Sequence, residues 1–527
     1  MQDTYDAMAI HYQEFFMSVS AAPANTQVHS GPRLSVNLDA QALAQSLSGK
    51  HYINGQLVGS ASGKTFDVVS PATRQVVGKA ALGDAADVEA AVKSAKAAQK
   101  EWAKLTPRER GRLVAECGRL LEQHAEELAR LVCLETGKAL RTECRPESKV
   151  LTDAFEMFGG LGSEIKGETV PHKTDMLVLT LREPVGIIGA IIPWNVPMML
   201  LSLKVCPGLV AGNAVVVKSA EEAPLAVLRI AQLCGQILPP GIFNMLSGMG
   251  PECGAPLAQH KDVGKVSFTG SVETGKIVYK YAAERMATAT MELGGKSPMI
   301  IMQDADLDKA VDGAANGMRF TRCGQSCTAA SRIFVHETLH DAFVEKLKAK
   351  VDAMKMGDPF DEATDIGTII SSGQFEKVKS YIAIGEATSG AKAVRCSALP
   401  SDAKLKDGFY VQPVMFTGLD NNSRLAREEI FGPVTCVIKF KTYAEVLAAA
   451  NDSDYGLAAT IWTKDLKTAM DAAHKLQAGF VQVNQNVVVQ PGLSYGGFKQ
   501  SGIGKEATLE AMLEHFTKKK TVLINLN

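Results

Sequence analysis

The sequence predicts an α/β protein built on parallel sheets. Near-continuous apolar runs such as VGIIGAII (185–192) alternate with stretches of helical periodicity. Strands that read apolar along their whole length are buried on both faces, as in a parallel sheet covered by helices. The length of 527 residues is too great for one core and predicts two to four domains at ~150 residues each.

The elements follow in order. Residues 1–48 carry Asp3, Asp6 and Glu14, with no Lys or Arg before Arg33. That pattern fits neither a signal peptide nor an Arg-rich transit peptide, and the stretch is expected to be a loose, disordered extension. Between 54 and 71, NG and SG punctuate short β-rich pieces. Asp84 is placed to cap a helix whose Val88, Val92, Ala95, Ala98 and Trp102 share one face. Thr106 caps the next, with Pro107 at its first position and Leu113, Cys117, Leu120 and Leu121 on its apolar side. NAVVVK (213–218), VGKVSFTG (263–270), SPMIIM (297–302) and RIFVH (332–336) read as strands. The stretches 221–238, 271–284, 307–318 and 338–354 read as helices between them. The terminal KKKTVLINLN (518–527) is a strand pattern without a neighbour in sequence, so it must pair far away or on another subunit.

Composition excludes several functions. Apolar residues make up 46%, charged residues 21%, and the net charge is −1 with no basic run, which argues against nucleic acid or an anionic membrane as partner. The apolar stretch 184–217 contains four prolines, Asn195 and Lys204, so it reads as strand, loop, helix and strand rather than a membrane span. The ten cysteines are scattered, with no C-x-x-C and no paired histidines at zinc spacing, so no metal site is expected. Scattered cysteines of this kind suit a reducing compartment, hence a cytoplasmic protein. GSVETGKI (270–277) nearly matches a nucleotide-hydrolysing phosphate loop, but Ile277 cannot ligate Mg²⁺ and Glu273 would repel a triphosphate. The same helix start remains suited to one phosphate of a dinucleotide, or to a tight turn alone.

FTRCGQSCTAASR (320–332) holds Cys323 and Cys327, each open to readings as nucleophile, metal ligand or packing residue. Four further strings bear on the choice: PWN (193–195), KSAE (218–221), ELGGKSP (292–298) and EEIFGP (428–433). Taken in order, and ending with YGGFKQSGIGKE (495–506), they make the chain from about residue 50 onward resemble the aldehyde dehydrogenase superfamily.

That resemblance implies a Rossmann-type cofactor domain (49–165 and 185–293), an α/β catalytic domain (294–505) and a small β oligomerisation arm (166–184 and 506–527). It implies Cys327 as nucleophile, with Asn195 and the Cys327 N–H as oxyanion donors and Glu292 as the base that activates water for thioester hydrolysis. Cofactor contacts fall to Trp194, Lys218, Glu221, Gly270, Ser271, Gly275, Glu429 and Phe431, with Lys377 a weaker match. Glu221 can accept ribose hydroxyls but would repel a 2′-phosphate, which implies NAD rather than NADP. Val196, Leu200, Leu203 and Tyr495 are the expected substrate-pocket residues, giving an aliphatic wall for a medium-sized apolar aldehyde. Tyr495 stands where relatives often carry phenylalanine, and the stretch from Glu292 to Cys327 is about one residue longer than in many relatives. A homodimer or homotetramer is implied. Three other readings stay open: an acyl-CoA or acyl-phosphate reductase, a redox-inactive thiol esterase, and a non-catalytic protein on the same scaffold. Cys323 reads as packing; in a helix it would share a face with Cys327, which raises a regulatory disulfide between them.

Overall fold

The computed structural model describes residues 34–486 and 489–527. Two large sheets organise the chain, each with its own core. The first has eight strands, in the order Gln56–Val58, His51–Ile53, Phe243–Leu246, Ala214–Lys218, Ile187–Ile191, Val263–Thr269, Thr288–Glu292, Gly502–Ile503. The central five are parallel. Numbered along the chain they lie 3-2-1-4-5, so strand order reverses between Ile187–Ile191 and Val263–Thr269. A crevice opens at such a reversal, outside the carboxyl ends of the strands, and ligands of doubly wound sheets bind there. The second sheet has seven strands running from Lys392–Arg395 through Arg332–His336 and Pro298–Ile301 to Phe480–Val483, parallel except at the Lys392–Arg395 edge.

The strings read as strands and helices from the sequence form those elements. Asp84 and Thr106 each complete a capping box, at the starts of Ala85–Trp102 and Pro107–Gln123. Val88, Val92, Ala95 and Trp102 are buried as the periodicity required, and so is Cys117. The apolar run 184–217 resolves into strand, loop, helix (Pro197–Val210) and strand. Among the described residues no helix is long and apolar enough to cross a membrane.

The structure corrects two boundaries. Residues 34–48, expected to be part of a loose extension, contain the helix Ala40–Ser46, capped by Asp39, with Leu43 and Leu47 buried in the first core. The Asn37 N–H and the Arg229 guanidinium both bond the buried Glu127 carboxylate, which ties this segment down. Residues 1–33 lie outside the described residues. The boundary expected at 505 also moves. Gly502–Ile503 pairs antiparallel with Thr288–Glu292, and Tyr495, Met512 and Phe516 pack in the first core. The chain crosses back to the first sheet before the arm begins, because the apolar face of Leu509–His515 is covered there. The terminal strand Thr517–Asn525 pairs antiparallel with Met176–Pro184, nine residues in register.

Candidate active site

Three strand ends of the first sheet converge on the crevice. Ile187–Ile191 leads into the loop carrying Trp194 and Asn195, Val263–Thr269 into Gly270 and Ser271, and Thr288–Glu292 ends on Glu292 itself. Across the crevice stands the loop before Arg332–His336, which carries Cys327. This loop is not an α-helix: a short 3₁₀ turn, Phe320–Arg322, is flanked by Arg319 and Cys323, both at positive φ. The same-face argument for Cys323 and Cys327 therefore fails. The Cys323 thiol donates to the Gly367 carbonyl at 3.2 Å inside the second core, whereas Cys327 packs against the first. Of the ten cysteines, Cys327 alone is partly exposed.

The glycines of ELGGKSP have separate tasks. A Cβ on Gly294 would lie 2.3 Å from a Glu429 carboxylate oxygen, and one on Gly295 would lie 2.4 Å from the Cys327 carbonyl oxygen. Only bare backbone lets Glu429 and the Cys327 loop come this close. Gly496 does the same for the base, since its Cβ would sit 2.7 Å from Glu292 Oε1.

Two cavities of about 220 Å³ each meet at Cys327 and Asn195. The first is lined by Trp194, Gly270, Ser271, Glu292, Lys377, Glu429 and Phe431, among others. Trp194 and Phe431 meet edge to face with centroids 5.4 Å apart. Ser271 caps the helix Val272–Ala283, whose start faces this cavity and offers N–H groups to an anion. Burial pushes the Glu429 carboxyl up despite the bond it accepts from the Gly295 N–H at 2.8 Å, so it suits hydroxyl donors. Lys218 and Glu221 line neither cavity. They pair with each other at 2.7 Å on the same sheet edge, further along from Asn195. Gly275 is a packing residue, leaving room for Leu293 against its helix. These residues fit a dinucleotide: an anion-binding helix start, an acid for ribose hydroxyls, aromatic walls, and a crevice at the strand-order reversal.

The second cavity holds two of the four residues expected for the substrate wall. Val196 and Tyr495 line it, but Leu200 faces the first cavity and Leu203 is buried and lines neither. The rest of the wall is apolar at Pro146, Val150, Met199 and Val489 and polar at Thr142, Glu143, Glu147, Arg319 and Arg322. Arg322 bonds Glu143 at 2.5 and 2.7 Å. Leucines one and two turns into Pro197–Val210 follow the helix away from the loop, whereas the π-helical turn Leu140–Cys144 delivers Glu143 from a distant part of the chain. Arg319 is placed by its left-handed turn just after the helix Leu307–Gly317.

At the junction, the Asn195 side-chain amide donates to the Gln325 carbonyl at 3.3 Å, keeping its second N–H for a ligand. The Asn195 backbone carbonyl accepts from Lys138 Nζ at 2.9 Å; Lys138 also pairs with buried Glu147, which in turn accepts the Met198 N–H at the start of Pro197–Val210. Both Glu292 oxygens are buried and accept no hydrogen bond among the described residues. Burial, reinforced by the Glu506 carboxylate, holds the Glu292 carboxyl well above the usual range, against the pull of Lys204 and Lys505. Glu506 pairs with buried Lys204 at 2.7 Å and accepts from Ser267. Burial pushes the Cys327 thiol up to about 11; the Tyr495 hydroxyl, 3.2 Å from Sγ, acts in the opposite sense. Sequence reasoning missed Lys138, Glu147, Glu143 and Glu506. The one available signal was Lys204, a lone charge in the apolar run PMMLLSLKVCPGLV.

Comparison with known proteins agrees with this geometry. A model of the aldehyde dehydrogenase family matches residues 57–522. A mitochondrial benzaldehyde dehydrogenase of Antirrhinum majus is 39% identical over 511 residues, covering 96% of this chain and 92% of its own. A hydroxyisobutyraldehyde dehydrogenase of Mycolicibacterium austroafricanum is 37% identical over 494 residues, covering 94% and 96%. The NAD+ complex of an aldehyde dehydrogenase from Bacillus cereus superposes with a TM-score of 0.89 at 37% identity, covering 94% of this chain and all of that one. With Cys327 set where two cavities meet, the first fit for a dinucleotide, this chain belongs to the aldehyde dehydrogenase family, enzymes that oxidise aldehydes with a nicotinamide dinucleotide.

Proposed function

We propose that the protein oxidises a small-molecule aldehyde to the free carboxylic acid, using NAD+ in preference to NADP+. The meeting of the two cavities at Cys327 and Asn195 carries this reading. An aldehyde has no leaving group, so its carbon must become tetrahedral before hydride departs. The Cys327 thiolate attacks that carbon. The Asn195 amide and the Cys327 N–H, which donates to no other carbonyl among the described residues, receive the developing oxyanion. A bound nicotinamide supplies the hydride acceptor. Glu292, free of hydrogen bonds and held above the usual carboxylate range, takes a proton from the water that hydrolyses the thioester. Its presence favours release of a free acid over transfer to coenzyme A.

Glu221, already paired with Lys218, can accept ribose hydroxyls and would repel a 2′-phosphate, which supports NAD+. Pro146, Val150, Val196, Met199 and Val489 in the second cavity support an aldehyde with an apolar body, and Glu143, Arg319 and Arg322 beside them support a polar group beyond its carbonyl. Leu177, Leu181, Leu523, Ile524 and Leu526 are exposed on the two-stranded arm, which supports a homodimer or homotetramer. Ten unpaired thiols support a reducing compartment such as the cytoplasm. The test is a screen for reduced dinucleotide against alkyl, hydroxy-substituted and carboxy-substituted aldehydes, with both dinucleotides and with Cys327→Ala. Turnover by wild type alone, with NAD+ and the polar aldehydes favoured by kcat/KM, is the expected result. Turnover by the alanine variant would overturn the mechanism.

A further inference from the structure

Among the described residues the Cys327 sulfur has one hydrogen-bonding contact, the Tyr495 hydroxyl at 3.2 Å. The tyrosine is held firmly. Its backbone exchanges two hydrogen bonds with Glu506, at 3.1 and 2.7 Å, and its ring meets Phe480 edge to face at 6.3 Å. Its side chain is buried and lines the second cavity. We propose that the Tyr495 hydroxyl is a catalytic hydrogen-bond donor to the Cys327 thiolate, stabilising the nucleophile and aiming it before the aldehyde arrives. This rests on the reading of Cys327 as the nucleophile.

A thiolate can only accept, so the phenol must donate to it, and the bond is charge-assisted in that state alone. The phenol stays protonated to do this, because burial raises it well above its usual value, as do the neighbouring Cys327 and Glu292 charges. The other charged groups around the sulfur give no equivalent help. Glu292, at the end of Thr288–Glu292, and Glu429, from the facing loop, both disfavour a thiolate. Arg322 favours it but is bonded to Glu143, and Arg319 lies on the same turn. Among the described residues Tyr495 alone hydrogen-bonds the sulfur. Once sulfur bonds to carbon its negative charge is gone and the hydrogen bond weakens. The donor therefore acts on the resting nucleophile, and the oxyanion remains with Asn195 and the Cys327 N–H.

The test is alkylation of Cys327 by iodoacetamide as a function of pH, followed by peptide mass spectrometry on full-length protein without aldehyde. Loss of a hydrogen bond to a charged group in Tyr495→Phe should raise the inflection by about one pH unit or more. A more basic thiolate is also intrinsically more nucleophilic, by about threefold for that shift. The two curves should therefore cross: the variant about threefold slower below both inflections and about threefold faster above them. Protein labelled with 3-fluorotyrosine, whose phenol is the stronger donor, should shift the inflection downward, and this arm does not depend on the variant folding. Coincident curves, or a variant uniformly slower at every pH as a packing defect would make it, would overturn the proposal. A crossing seen in a protein whose wild type oxidises no aldehyde would sink the proposed reaction and leave the tyrosine–thiolate bond standing.

Discussion

Residue by residue, the site depends on close approach. Gly295 lets the Cys327 carbonyl within 2.4 Å of where a Cβ would be, so Gly295→Ala must push the nucleophile loop. A displacement of about an ångström costs ~10²-fold in rate. We expect kcat to fall by about that factor with circular dichroism unchanged, and a variant of wild-type activity would show that the loop yields freely. Glu292 offers a pH test. Its raised carboxyl must lose a proton before it can act as base, so thioester hydrolysis should fail on acidification at a pH above the ordinary carboxylate range. Glu292→Gln should keep the pre-steady-state burst of reduced dinucleotide while steady turnover falls ~10²-fold or more. Loss of the burst itself, seen by stopped flow, would move Glu292 to the attack step. That Cys327, Asn195 and Glu292 meet at one cavity was legible because each sits in a short string of the family resemblance. Glu143, Glu147 and Glu506 were not, because an acid on a helix or near a chain end reads as solvated until the fold buries it.

Elements carry buried charge that tunes stability. Lys265 on Val263–Thr269 is fully buried, bonds Thr290 at 2.9 Å and lies 4.8 Å from the Phe516 ring centre. Burial pulls its ammonium down to about 7, so between there and the ordinary lysine value the unfolded chain binds more protons than the folded one. Stability then rises with pH across that window, and the penalty is greatest below it. Lys265→Met should raise the melting temperature at pH ~6 more than at pH ~9, read by calorimetry; an equal shift at both would show that the lysine stays charged when folded. Lys138 joins Glu147 to the Asn195 carbonyl, so Lys138→Met leaves a buried acid unpaired and should cost ~3–5 kcal/mol in denaturant titrations. A loss under ~1 kcal/mol would place the pair in water-like surroundings. At this scale the sequence was clearest. Strand runs such as NAVVVK and caps such as Asp84 and Thr106 act through local periodicity and backbone bonding alone.

For the whole molecule, the two sheets supply opposite walls of one crevice, and the arm projects from them as a separate ribbon. Leu523 and Ile524 are 57% and 41% exposed on that ribbon, a cost in water that a second subunit would remove. We expect Leu523→Glu with Ile524→Lys to yield a smaller assembly in light scattering while the nucleophile remains alkylatable. An unchanged mass would put the subunit contact elsewhere.

By itself the sequence determined the α/β class, the parallel strands and most helix starts, and its strings, through their family resemblance, singled out Cys327, Asn195 and Glu292, which line one cavity. The first three follow from short-range rules, in which neighbours a few positions apart decide burial and capping. Only the tertiary structure decided that Leu200 and Leu203 stay out of the second cavity while Glu143 and Arg322 line it, that residues 502–503 rejoin the first sheet, and that Tyr495 reaches the sulfur. Each of those joins residues far apart in the chain, and their meeting depends on how whole sheets pack, which no local pattern of side chains encodes.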